Sequence, residues 1–196
     1  MRKWIAGLIA LALYVTFAGQ ASATPAASSD TVRVLVIYHS LTGHTRALAE
    51  AVAEGARSVD GASVSLKPVD EVENVDLEWC DALLIGSPTY WGSIATPVKE
   101  FIDGGRPFMG DKVGGAFATG GSDGGGKELA VLAILTAMLN NGMIVAGPHY
   151  EEDGFKFGGF GVGATTGKDS PGVDEAEMAR GRVLGERVAT VAKRYR

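Results

Sequence analysis

Between Tyr38 and Ala56 the chain reads YHSLTGHTRALAEAVAEGA, with Ser40, Thr42 and Thr45 crowded around Gly43 just before a helical pattern. Hydroxyl donors, a glycine that turns the backbone sharply and the free N–H groups of a first helical turn together make a place for an anion. The helix dipole adds about 0.3–1 kcal/mol for an exposed negative group, and up to ~2 kcal/mol when the geometry is partly buried. The loop contains no lysine, so neutral donors carry the charge and a phosphate is the natural occupant. The alternative is ordinary helix capping, which a single Ser or Thr accomplishes. Three hydroxyls around one glycine exceed that need.

Two further stretches carry chemistry. Pro88-Thr89-Tyr90-Trp91-Gly92 and Thr119-Gly120-Gly121-Ser122-Asp123 each follow an apolar run. The aromatics of the first suit stacking on a flat ligand, or equally a plug at the edge of a sheet. Gly121 to Glu128, GSDGGGKE, nearly spells a nucleotide P-loop, but Glu128 stands where a magnesium-binding hydroxyl is needed. GFGVGATT approaches a dinucleotide fingerprint, yet it lacks the last glycine and follows no strand. His39, His44 and His149 have no metal-ligand spacing, so no metal site is expected.

The elements that position these loops alternate in type. Val32 to Tyr38 is a buried strand by its β-branched, non-helical pattern, and Thr45 to Val59 is a helix with Leu48, Ala49, Val52, Ala53 and Ala56 on one face. ASVSLKPV, ALLIGS, KVGGAFATG and MIVAG read as four more strands, and EVENVDLEWCD as a short helix. TPVKEFIDGG reads as a helix with Pro97 in its first turn. KELAVLAILTAMLNNG is an apolar helix closed by Gly142, and Asp174 to Tyr195 a final amphipathic one. Pro148 to Gly172 has no regular period and exceeds an ordinary connection. The expected fold is a doubly wound α/β domain, a five-stranded parallel sheet with helices on both faces. The loops after Tyr38, Ser87, Thr119 and Gly147 then fall at the carboxyl ends of strands, where such sheets bind ligands.

The chain has 196 residues. Arg2 and Lys3, an apolar run from Trp4 to Ala18, and Ala21-Ser22-Ala23 have the layout of a secretory signal peptide over residues 1–23. A retained anchor is the alternative, although the run is shorter than the ~20 residues of a spanning helix. Residues 24–30 read as a small-residue linker and 31–196 as one domain, exported and periplasmic, with no membrane span after cleavage. The formal charge is −5, and loss of the leader's two basic residues makes it more negative, which argues against nucleic acid. The single cysteine, Cys80, excludes an intramolecular disulfide and reads as buried and inert.

SLTGHT, Ser40 to Thr45, resembles the phosphate loop of flavodoxin-like proteins. With GSPTYWG, ATGGSDGGGKE, NNGMIV and VGATTG in the same order, nearly all of residues 24–196 resemble the WrbA-type NAD(P)H:quinone oxidoreductases. The resemblance implies an FMN flavoenzyme that takes two electrons from NAD(P)H and reduces a quinone, with no residue acting as nucleophile. It implies that Ser40, Leu41, Thr42, Gly43, His44 and Thr45 hold the FMN phosphate. Thr89, Tyr90 and Trp91, in the loop from Pro88 to Gly92, would flank the isoalloxazine. Thr119, Gly120, Gly121, Ser122 and Asp123 would meet its pyrimidine edge. Asn141 stands where the family often has histidine before its Gly-Met pair. Phe108 is the candidate for a substrate-enclosing aromatic, and the order of elements lets His149 and Tyr150 border the flavin, Tyr150 toward substrate. A homotetramer is also implied, while the segments after the second strand and after Gly105 are shorter than in the family. The competing reading is an exported flavodoxin, a non-enzymatic electron carrier; a third is an interaction domain, since fold does not fix function.

Overall fold

The strand β1 (Val32–Tyr38) lies inside a parallel sheet, with a strand on either side, because its period of two loads both faces with apolar side chains. Val34 and Val36 join one buried cluster, Leu35 and Ile37 another. The computed structural model describes residues 31–104, 109–152, 155–167 and 172–196. The leader and linker expected over residues 1–30 lie outside these, as does Phe108.

β2 (Ala62–Pro68) and β3 (Ala82–Tyr90) flank β1, both parallel to it. A small antiparallel strand, β4 (Ser93–Ile94), folds back on the end of β3. The wholly buried β5 (Val113–Gly120) pairs with β3 on its other side. The helices α1 (His44–Arg57) and α5 (Glu175–Arg194) contribute Leu48, Val52, Leu184 and Val188 to the first cluster. On the opposite face α2 (Asn74–Trp79), α3 (Thr96–Asp103) and α4 (Lys127–Asn140) contribute Leu77, Val98, Phe101, Ile134 and Met138. Cys80 is buried there, and burial pushes its thiol up to about 11, so the sulfur stays protonated at neutral pH. α4 is apolar all round: Leu129, Leu132 and Leu139 face outward and are exposed.

The fifth position of the sheet differs from the single strand that the MIVAG pattern predicts. β6 (Ile144–Val145) pairs with Val113 and Gly114, at the beginning of β5. The chain then leaves for an antiparallel hairpin, β7 (His149–Glu152) and β8 (Phe155–Gly158). It returns as β9 (Val162–Thr165), parallel to Phe117–Gly120. Departing and returning chains cross closely: a Cβ on Gly147 would lie 1.8 Å from the carbonyl oxygen of Gly159. The carboxyl end of the fifth position is therefore Thr165 rather than Gly147. The loop after Gly147 leaves from the lower half of the sheet, away from the carboxyl edge.

Candidate functional site

Three loops converge at the carboxyl edge. In the first, Gly43 is the N-cap of α1 at φ 88°, a left-handed conformation that favours glycine, and no side chain among the described residues caps the helix. The capping alternative is thus not realised, and the first N–H groups of α1 are left for another acceptor. Thr42 is exposed. Ser40 Oγ is buried with no hydrogen-bond partner among the described residues, a situation worth about 1–3 kcal/mol to any group that bonds it. Thr45 is placed differently. Its hydroxyl and that of Thr119 lie 2.8 Å apart in a buried hydrogen bond, which ties the first turn of α1 to the end of β5. His44 sits beside the backbone of Gly172, where a Cβ would lie 3.8 Å from its Nδ1.

The second loop is a tight hairpin. β3 runs on to Tyr90 and turns through Trp91 and Gly92 into β4, with Thr89 opposite Ile94. Both turn residues have positive φ, 53° and 76°, the pattern of the type I′ turn that Asn-Gly usually fills. A tryptophan in this conformation is strained, and its side chain is fully exposed. Ser87 braces the base of the hairpin, donating to the carbonyl of Pro88 at 2.8 Å and accepting from the Ala95 N–H at 2.9 Å. Thr89 Oγ1 is the second buried hydroxyl without a partner among the described residues.

The third loop, from Thr119 to the N-cap Gly126, packs against the second: a Cβ on Gly126 would lie 2.9 Å from the Cα of Gly92. Its outer part is held from β9. Thr165 Oγ1 donates to Asp123 Oδ1 at 2.7 Å, and the Thr166 N–H donates to the carbonyl of Gly120 at 2.8 Å. That hydroxyl, and then the Lys127 charge, hold the exposed Asp123 carboxyl below the usual carboxylate range. Glu177 in turn accepts the Thr165 N–H at 2.6 Å and shares a capping box with Asp174, so the start of α5 anchors β9. Lys127 and Glu177 escape a motif-based reading; the signal for them is that VGATTG must be pinned to both neighbours.

Thus Ser40 to Thr45, Pro88 to Gly92 and Thr119 to Asp123 are brought together. Asn141 is not part of this cluster. It closes α4, its amide donating to the carbonyl of Ala137 at 2.7 Å, and the adjacent Gly142 carbonyl accepts from Asp111 just before β5. Fourteen helical residues carry it about 21 Å back, to the amino edge of the sheet. His149 and Tyr150 stand in the hairpin. The Tyr150 ring lies 5.3 Å from that of Phe157 and shares a groove of about 440 Å³ with Val162 and Arg180. Burial holds the Tyr150 phenol above its usual range, with Arg180 opposing. Among the described residues, no group of three or more His, Cys, Asp or Glu is placed to hold a metal.

Doubly wound sheets take nucleotides at their carboxyl edge, and here that edge sets an uncapped helix N-terminus beside an aromatic turn, which suits a phosphate next to a flat ring. Residues 35–128 match the family model described as a flavodoxin domain. The chain is 41% identical to a flavodoxin of Aquifex aeolicus over 166 residues, 80% of this chain and 87% of that one. It is 37% identical to an NAD(P)H dehydrogenase (quinone) of Azorhizobium caulinodans, covering 82% of this chain and 96% of that protein. A WrbA-like flavodoxin from Agrobacterium tumefaciens superposes with a TM-score of 0.67 at 26% identity, covering 85% of this chain and all of that one. The chain belongs to the flavodoxin-like family, among its WrbA-type members. The two partnerless hydroxyls, Ser40 and Thr89, fit the bound flavin that this membership implies.

Proposed function

We propose that the protein is an FMN-dependent oxidoreductase that takes two electrons from NAD(P)H and delivers them to a quinone. The observation that carries the reading is the pair of buried hydroxyls, Ser40 and Thr89, left unbonded within one converging site. FMN supplies the two-electron chemistry there. The chain's own residues bind and orient: Ser40 to Thr45 hold the phosphate, Thr89 to Trp91 flank the ring, and Thr119 to Asp123 meet the pyrimidine edge. A single phosphate loop, with no pyrophosphate motif, favours FMN over FAD. The curated relatives called NAD(P)H dehydrogenase (quinone) support the enzyme, and the 41% identical flavodoxin supports the second reading, an electron carrier. Anaerobic mixing of the flavin-loaded protein with NADH separates the two, since only the enzyme takes electrons directly from a nicotinamide.

We further propose a homotetramer. The exposed Leu129, Leu132 and Leu139 of α4 support self-association, and Asn141 at the amino edge meets a flavin only if a second copy supplies the site. Light scattering over a range of concentrations should give a constant mass of four chains; a concentration-independent monomer defeats the proposal. The signal layout of residues 1–23 supports export to the periplasm with cleavage after Ala23. Intact-mass measurement on the exported fraction should find a chain beginning at Thr24. Retention of Met1 would overturn that.

A further inference from the structure

GSDGGGKE, of which the proposed function uses only Gly121 to Asp123, carries an unusual cation next to its end. Lys127 opens α4 directly after Gly126, where the helix dipole disfavours positive charge. It is nevertheless buried, with only 7% of its surface exposed, which is rare for lysine. Its stem runs along β9 at Gly163, where a Cβ would lie 3.1–3.2 Å from Cγ, Cδ and Cε, so the glycine keeps the lane open. Its ammonium donates to the main-chain carbonyl of Asp123 at 3.2 Å. Two carboxylate oxygens lie further off, Asp123 Oδ1 at 3.7 Å and Glu128 Oε1 at 3.4 Å. Those side chains are 95% and 65% exposed, so water screens them and the buried charge is only partly neutralised.

The cation therefore sits behind the loop assigned to the flavin's pyrimidine edge, bonded to one of its peptides. Hydride transfer brings a flavin two electrons and one proton, leaving one negative charge on the pyrimidine side unless a second proton follows. We propose that Lys127 is a positioning and potential-setting residue: acting through the Asp123 peptide and its own charge, it favours the reduced flavin over the oxidised one. Charge near N1 is a recognised lever on flavin electronics, and a peptide polarised by an ammonium at its carbonyl is the better donor at its N–H. The proposal rests on the flavin reading above.

Lys127→Met keeps the packed stem and removes the charge. FMN affinity is measured by titration in the oxidised and dithionite-reduced states, and the midpoint potential against a reference dye. Oxidised FMN should bind within about threefold of wild type. Reduced FMN should bind about tenfold more weakly, lowering the midpoint by about 30 mV for the two-electron couple. Lys127→Arg should restore the wild-type potential. A merely structural lysine would weaken both oxidation states equally, and that result, or an unchanged midpoint, overturns the proposal. Should Lys127→Met not fold, Lys127→Gln is judged by the same two affinities. Failure of wild type to bind FMN at all removes the flavin reading itself, and this proposal with it.

Discussion

Thr42→Glu is expected to abolish FMN binding while leaving the fold intact. Thr42 is exposed and immediately precedes the left-handed Gly43, at an α1 N-terminus that no side chain among the described residues caps. A carboxylate there accepts from the free N–H groups and lies against the phosphate. Two like charges at 4 Å repel by about 4 kcal/mol at an effective dielectric of 20, so a loss of at least about 100-fold is expected, near 2.7 kcal/mol. The same carboxylate complements the helix dipole, so the flavin-free variant should be as stable as wild type, or about 0.3–1 kcal/mol more stable. Fluorescence titration with FMN and urea unfolding of the flavin-free form measure the two effects. Unchanged affinity in a folded variant removes the phosphate-loop assignment.

The second large effect is kinetic. Anaerobic NADH should bleach the visible band of the bound flavin nearly completely, and benzoquinone should then restore it. On the proposed reading nicotinamide and quinone would react with the flavin in turn, so steady-state turnover should be ping-pong. Trp91 and Tyr90, on the turn assigned to the ring, are exposed; Phe157 in the hairpin and Phe160 just after it are exposed too, but they stand away from the carboxyl edge and suit a subunit interface. No bleaching with either NADH or NADPH, under conditions where dithionite reduces the flavin fully, assigns the protein to the carriers.

Much of this arrangement is legible in the order of the amino acids. The runs ending in Tyr38, Ser87 and Thr119 bury both faces, and such strands declare themselves by continuous apolar sequence. Gly43 between hydroxyls marks the turn into α1, and the structure gives it the left-handed N-cap position that favours glycine. What stays hidden is long-range. Nothing local to Thr45 shows the buried bond that the fold makes between its hydroxyl and that of Thr119. Trp91-Gly92 gives no hairpin signal, since tryptophan rarely takes a positive φ. Val162–Thr165 is short and contains Gly163, where a side chain would meet the Lys127 stem. Its pairing with β5 therefore cannot be read from local pattern. The place of Asn141 is hidden for a related reason: the sequence shows that it follows α4, but the length of α4 puts it at the opposite edge.

The divided fifth position has a bearing on how this protein avoids other chains. A sheet's last strand normally presents a row of unused N–H and C=O groups on which a foreign strand can grow, the first step toward fibrils and other aggregates. Here that border consists of pieces two and four residues long, β6 and β9, parted by a hairpin that among the described residues pairs only with itself. Neither piece offers a template long enough to recruit a partner. Excising the insertion to fuse β6 directly to β9 would give a tidier sheet and a more aggregation-prone protein.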